Sequence, residues 1–120
     1  MQHRTLKTLE DIRDAAVFIR EVTARESLES YADNRLLRQG VERNFEIVGE
    51  AIRRLRDHSP EVARQLTDHA RIIGFRNILI HGYDLVDDAL VWDTIQHHLP
   101  TLLAEVAAMM QRLQQDQPRQ

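Results

Sequence analysis

The residues best equipped for chemistry fall in one eight-residue run, RNILIHGY, positions 76 to 83. It supplies a permanent cation in Arg76, an amide in Asn77, an imidazole in His81 and a phenol in Tyr83. An arginine can grip a phosphate with its planar fork and offset charge developing on the phosphate oxygens during bond exchange. A histidine, with an ordinary pKa of about 6.5, can take up or release a proton at neutral pH. RNA brings its own nucleophile, the 2′-hydroxyl, so such a pair needs neither a metal nor a protein nucleophile, and no cofactor is expected. Asn77 and His81 are four apart and share a face if the run is helical; Arg76 and Tyr83, seven apart, would share one if the helix continued. Gly82 lets the chain leave the helix directly after His81, which puts the imidazole and phenol at an exposed end close to Arg76. The same spacing also suits structural duties, with His81 and Tyr83 as capping or interface residues and Arg76 paired with an acid.

Other chemistries find little support. The sequence contains no GxxxxGK phosphate loop, no HExxH zinc pair and no GxSxG nucleophile elbow. It has no cysteine, which excludes disulfides, thiolate metal sites and cysteine nucleophiles. His97 and His98 are adjacent, so on a helix they point about 100° apart, which suits neither usual metal-ligand spacing; they read as partly exposed polar residues. The net charge is −3, from 16 Lys and Arg against 19 Asp and Glu, and Lys7 is the single lysine. Such a balance does not suit a general nucleic-acid coat protein, whose affinity sums over many phosphates. It leaves room for a local arginine-lined cleft that holds one phosphodiester. The opening MQHRTLKTLEDIRD has no apolar signal region, and no apolar run approaches a membrane span. A cytoplasmic protein without membrane contact is the expectation.

The elements that must position this run read as helices. Gly (4) and Pro (3) are scarce, and the prolines fall where helices start or stop. The 120 residues suit one domain, 1 to 120, with a polar tail from about 114. Leu6, Leu9, Ile12, Ala16, Ile19 and Val22 mark the inner face of a first helix from about Thr5 to Glu26, with Val17 and Phe18 widening the stripe. Ser27 to Asn34 reads as a connection, with Asp33 as the N-cap of a second helix from about Asn34 to Asp57. That helix keeps a 3.6-residue rhythm through Val41, Phe45, Val48, Ile52 and Leu55. Gly40 and Gly49 inside it each cost about 1 kcal/mol against alanine, and Gly49 between Val48 and Ile52 fits a close helix crossing. Asn44 lies beside the stripe. His58-Ser59-Pro60-Glu61 is a helix start, with Ser59 as N-cap, opening a short helix to about Ala70 that leads into 71 to 81. The latter is apolar on most sides, so it is expected at the centre of its bundle. Residues 83 to 86 form a connection, Asp87 caps the next helix, and Pro100 divides the remainder into a short helix ending near His98 and a longer one. The expected fold is all-α: a four- to five-helix, largely antiparallel bundle that works as a dimer.

With these residues in place, the chain resembles a HepT-type toxin of the HEPN superfamily. The signature is arginine, four to six residues, histidine, and tyrosine two residues later: here Arg76, NILI, His81, Gly82, Tyr83. RNFEIVGEAIRRL (43–55), IIGFRNILIHGY and VWDTIQHHLPTLL (91–103) resemble the family's second-helix, central and C-terminal segments, and the similarity spans roughly residues 3 to 113. The resemblance implies a helical homodimer with both motif copies facing a shared cleft. It implies a metal-independent endoribonuclease, the toxin of a toxin–antitoxin pair. Its partner would be an MntA-like minimal nucleotidyltransferase that transfers AMP from ATP onto the motif tyrosine. Carried over, Arg76 is the phosphate-binding cation and His81 the general acid/base. Asn77 is a supporting residue, and Tyr83 is the AMP acceptor and an RNA contact. The alternative is a non-catalytic helical module that is the partner or substrate of a nucleotidyltransferase.

Overall fold

Apolar residues at helical spacing, interrupted by short polar segments, fold among the described residues into seven α-helices. The computed structural model describes residues 2–82, 84 and 86–115. The helices are α1 (Gln2–Thr23), α2 (Leu28–Ala32), α3 (Arg35–His58), α4 (Pro60–Ala63), α5 (His69–His81), α6 (Asp88–His97) and α7 (Leu99–Gln115), and the described residues include no strand. The count exceeds the expected four to five because α2 is a single turn inside a segment read as a connection and because the helix starting at Pro60 stays separate from α5. None of the described helices is long and apolar enough to cross a membrane.

α1 and α3 form the central pair. They run antiparallel: Thr5 and Thr8 near the start of α1 reach Ser59 and His58 at the end of α3, and Phe18 lies by Gly40 near the start of α3. Leu9, Ile12 and Ile19 interlock with Val41, Val48 and Ile52, all fully buried. α7 packs on α1, α6 on α7 and α5 on α3. Phe45 and Phe75 meet edge to face across that last contact, 5.1 Å between ring centres. Asn44, polar beside the α3 stripe, donates to the Gly40 carbonyl of its own helix at 2.8 Å.

Several expectations need correction. The 27–34 segment is not a plain connection: Ser27 and Ser30 cap each other reciprocally and nucleate α2, which seats Tyr31 fully buried and tilted against Trp92. The N-cap of α3 is Asn34, whose Oδ1 accepts from the Leu37 N–H at 3.0 Å, while Asp33 closes α2. The helix opened by Pro60 stops at Ala63. Leu66 is buried in the turns that follow, and Glu105 of α7 accepts from the Thr67 N–H at 3.0 Å, which competes with helical continuation. Ser59 precedes α4 without a side-chain cap bond, because its hydroxyl is engaged with Thr5 and His58. Asp87 and Pro100 behave as expected, the first capping α6 through the Ala89 N–H and the second lying in the first turn of α7.

The largest correction concerns α5. It is apolar nearly all round, yet it flanks the bundle rather than filling its centre. Ile72, Ile73, Phe75 and Leu79 are buried, whereas Ile78 and Ile80 stay 45% and 38% exposed. One chain therefore covers only part of this helix.

Candidate active site

Arg76 lies in the middle of α5, where that helix crosses α3. The crossing is close because α3 carries Gly49: a Cβ built on Gly49 would sit 2.4 Å from the Arg76 Cβ, far inside normal contact. This approach brings the neighbouring Glu50 within reach of the guanidinium. Arg76 Nη2 pairs with Glu50 Oε2 at 3.0 Å, and Nη1 donates to Asn77 Oδ1 at 2.9 Å. Its Nε is buried without a hydrogen-bond partner. The fork is thus held at both terminal nitrogens and only its outer part faces solvent, the side chain being 21% exposed.

Glu50 itself is the centre of a larger cluster. It accepts from Arg53 at 2.8 Å and 3.2 Å and from Arg54 at 3.3 Å as well as from Arg76. The Arg53 guanidinium bonded to the carboxylate holds Glu50 below the usual carboxylate range, with Arg76 and Arg54 adding to the effect. Three guanidiniums surround this one carboxylate and more than offset its charge, although Asp11, Asp14 and Glu46 also line the groove. Arg76, Glu50 and Arg54 line a groove of about 540 Å³ between α1, α3 and α5, with Phe18 and Ile80 as apolar wall. A second groove, of about 760 Å³ over the first turns of α1, shares Thr8, Asp11 and Arg54 with it.

His81 is the last residue of α5 and is exposed. It follows Arg76 by five residues, which places it about 7.5 Å further along the axis and about 140° round it. Asn77 and His81 do share a face, as their spacing required. Arg76 and His81 do not share one within a single chain. Gly82 ends α5 with φ −122°, outside the left-handed region that favours glycine. Tyr83, the expected modification site, lies outside the described residues. His97 is exposed, whereas His98 is half-buried, with Nδ1 3.1 Å from Asp68 Oδ2, tying the end of α6 to the start of α5.

A second polar cluster joins the ends of α1 and α3. His58 stands between Ser59 Oγ (3.2 Å from Nδ1) and Thr8 Oγ1 (3.4 Å from Nε2). Burial pushes its pKa down, assisted by the positive charge of Arg4. Sequence reading singled out neither Glu50 nor His58. Glu50 carried one usable signal, a carboxylate next to a helix-interior glycine and three and four residues ahead of two arginines.

The fold and site define an all-helical protein that presents a clamped arginine in a polar groove beside an exposed histidine. The family profile for ribonuclease HepT-like proteins matches residues 12–109, which include the whole Arg76–His81 run. The chain belongs to this HepT-like family, of the HEPN superfamily. It is 32% identical over 111 residues to a Methanocaldococcus jannaschii protein named "Putative RNase MJ1380", covering 88% of this chain and 97% of that one. It is 30% identical over 104 residues to "Putative RNase TTE0752" of Caldanaerobacter subterraneus, covering 87% and 92%. It is also 30% identical over 96 residues to "Probable ribonuclease HepT" of Thermococcus cleftensis, covering 78% and 84%. No solved structure matches it significantly.

Proposed function

We propose that this protein is a metal-independent endoribonuclease, the toxin of a toxin–antitoxin pair, in which Arg76 binds the scissile phosphate and His81 moves the proton. The observation that carries this reading is the clamped Arg76 fork at the rim of an open groove, in a chain whose named relatives are described as ribonucleases. The 2′-oxygen bonds to phosphorus as the hydroxyl gives up its proton, the P–O5′ bond breaks to leave a 2′,3′-cyclic phosphate, and the departing 5′-oxygen takes up a proton. His81 serves these transfers as general acid/base, and Arg76 offsets charge on the non-bridging oxygens. Asn77 supports the arginine through its bond to Nη1.

A homodimer belongs to the same reading. Within one chain Arg76 and His81 point to different sides of α5, and a symmetric partner supplies a second copy of each. The apolar side of α5 supports this, since Ile78 and the nearby Leu90 line an uncovered groove of about 400 Å³. Tyr83, two residues beyond His81, is the site at which an MntA-like nucleotidyltransferase would attach AMP. The added phosphodiester would compete for Arg76 and its nucleoside would fill the cleft.

Arg76→Ala and His81→Ala should each abolish RNA cleavage and toxicity with the helical fold intact, and EDTA should leave the wild-type rate unchanged. Full activity of the His81→Ala protein would refute the assignment. Incubation with the partner transferase, ATP and magnesium should add AMP to Tyr83 and none to the buried Tyr31. The second reading, a non-catalytic partner or substrate of a nucleotidyltransferase, is favoured by one observation: Arg76 is already paired with Glu50 and Asn77. Cleavage of RNA by the isolated, unmodified protein decides between the two.

A further inference from the structure

Arg76 has five N–H donors, and its structural bonds leave some of them free. One Nη2 hydrogen goes to Glu50 and one Nη1 hydrogen to Asn77, so each terminal nitrogen keeps a second N–H. Two such hydrogens on one planar group are what a bidentate phosphate contact requires. We propose that Glu50 is the positioning residue of this site: from α3 it fixes the Arg76 guanidinium in the orientation that meets a phosphate, and it gathers Arg53 and Arg54 to the same groove edge. The proposal rests on the ribonuclease reading above.

A mobile arginine would lose its rotamer freedom on taking up substrate, whereas one clamped during folding has already lost it. The clamp has an electrostatic consequence, because a carboxylate beside the site repels the phosphate it serves. Arg53 and Arg54 offset that repulsion, since both bond to the same carboxylate, Arg53 while also pairing with Asp57 at 3.6 Å. Arg54 lies on the wall shared by the two grooves, so it stands where a flanking phosphate would pass. Gly49 makes the arrangement possible by letting the α3 backbone approach Arg76 closely enough for the adjacent carboxylate to reach it.

A positioning role separates turnover from affinity in a way that a merely structural role does not. Glu50→Gln keeps the shape and removes the charge; Glu46→Gln removes a charge from the same groove, where Glu46 pairs with Arg43 at 3.4 Å and, among the described residues, not with Arg76. Both variants and the wild type are to be assayed for kcat and KM on a fluorescent oligoribonucleotide. Affinity is measured on the same oligonucleotide with 2′-O-methyl groups throughout, which cannot be cleaved, and circular dichroism checks that each variant is folded. Both substitutions should tighten binding of the uncleavable strand, by about two- to fivefold, through loss of a repelling charge. Only Glu50→Gln should lower kcat, by about tenfold or more, as Arg76 loses its orientation, and Glu50→Asp should restore part of that loss. Wild-type cleavage accompanied by an unchanged kcat in folded Glu50→Gln would overturn the role of Glu50 alone. A wild-type protein that cleaves no RNA would overturn the ribonuclease reading itself.

Discussion

Replacing Gly49 with alanine tests the α3–α5 crossing on which the site depends. Away from crowding, glycine to alanine inside a helix stabilises by about 1 kcal/mol. Here the new methyl would lie 2.4 Å from Arg76 Cβ, with Arg76 Cγ at 3.0 Å and Cδ at 3.3 Å. Carbon atoms in contact prefer about 3.5–4.0 Å, so the deficit is roughly 1.3 Å. The nearest atom is a Cβ, which is rigidly attached to its backbone, so a change of rotamer does not relieve it; α5 must move away from α3. Overpacking of this kind costs about 1–3 kcal/mol, and the upper end applies because a whole helix has to shift. Less the propensity gain, Gly49→Ala should destabilise by about 2 kcal/mol, which lowers Tm by roughly 8 °C in a domain of this size. The internal control is Gly40→Ala, whose methyl would meet Phe18 Cε2 at an ordinary 3.9 Å and should raise Tm by a few degrees. Thermal unfolding followed by circular dichroism reads both signs, and the cleavage assay should show Gly49→Ala losing turnover as Arg76 leaves its clamp. A Gly49→Ala protein as stable as wild type would refute the close-crossing argument.

Tyr31→Phe should be neutral or stabilising by up to about 1 kcal/mol, because the buried hydroxyl has no hydrogen-bond partner and its removal strands nothing; clear destabilisation in urea titration would contradict this. His58 should make the protein sensitive to mild acid. Its folded pKa is depressed by burial, so the unfolded chain takes up the proton first as pH falls below about 6.5, and stability drops until the folded pKa is passed. The difference in stability between wild type and His58→Gln should therefore shrink from pH 7.5 to 5.5; a constant difference would show that His58 does not titrate as described. Light scattering should give twice the 14.0 kDa of one chain, and Ile78→Asp should return it to the monomer value; a wild-type monomer at micromolar concentration would exclude the shared cleft.

Much of this protein was determined by its sequence. The helical class follows from the apolar rhythm and the scarcity of glycine and proline, because a 3.6-residue period can bury a continuous stripe only as a helix. The helix carrying Arg76, Asn77 and His81 is almost continuously apolar and could be placed only because no other segment reads as a strand and a single strand cannot form a sheet. The close approach at Gly49 followed from what a helix-interior glycine costs. The one-turn helix α2 was not legible, since so short a helix forms when a local cap and a buried anchor such as Tyr31 cooperate, not from periodicity; the helix starting at Pro60 was legible in its start but not in its early stop at Ala63. Whether α5 sits at the centre or the flank was also beyond the pattern. Hydrophobicity all round a helix records that it is covered, not whether its own chain or another covers it. The partner of Arg76 was decided by tertiary structure alone. Glu50 lies 26 residues away in sequence, among many charges on α3 that periodicity treats alike, and only the crossing at Gly49 selects it. Sequence can name a cation suited to a phosphate; which carboxylate orients it depends on where two helices meet.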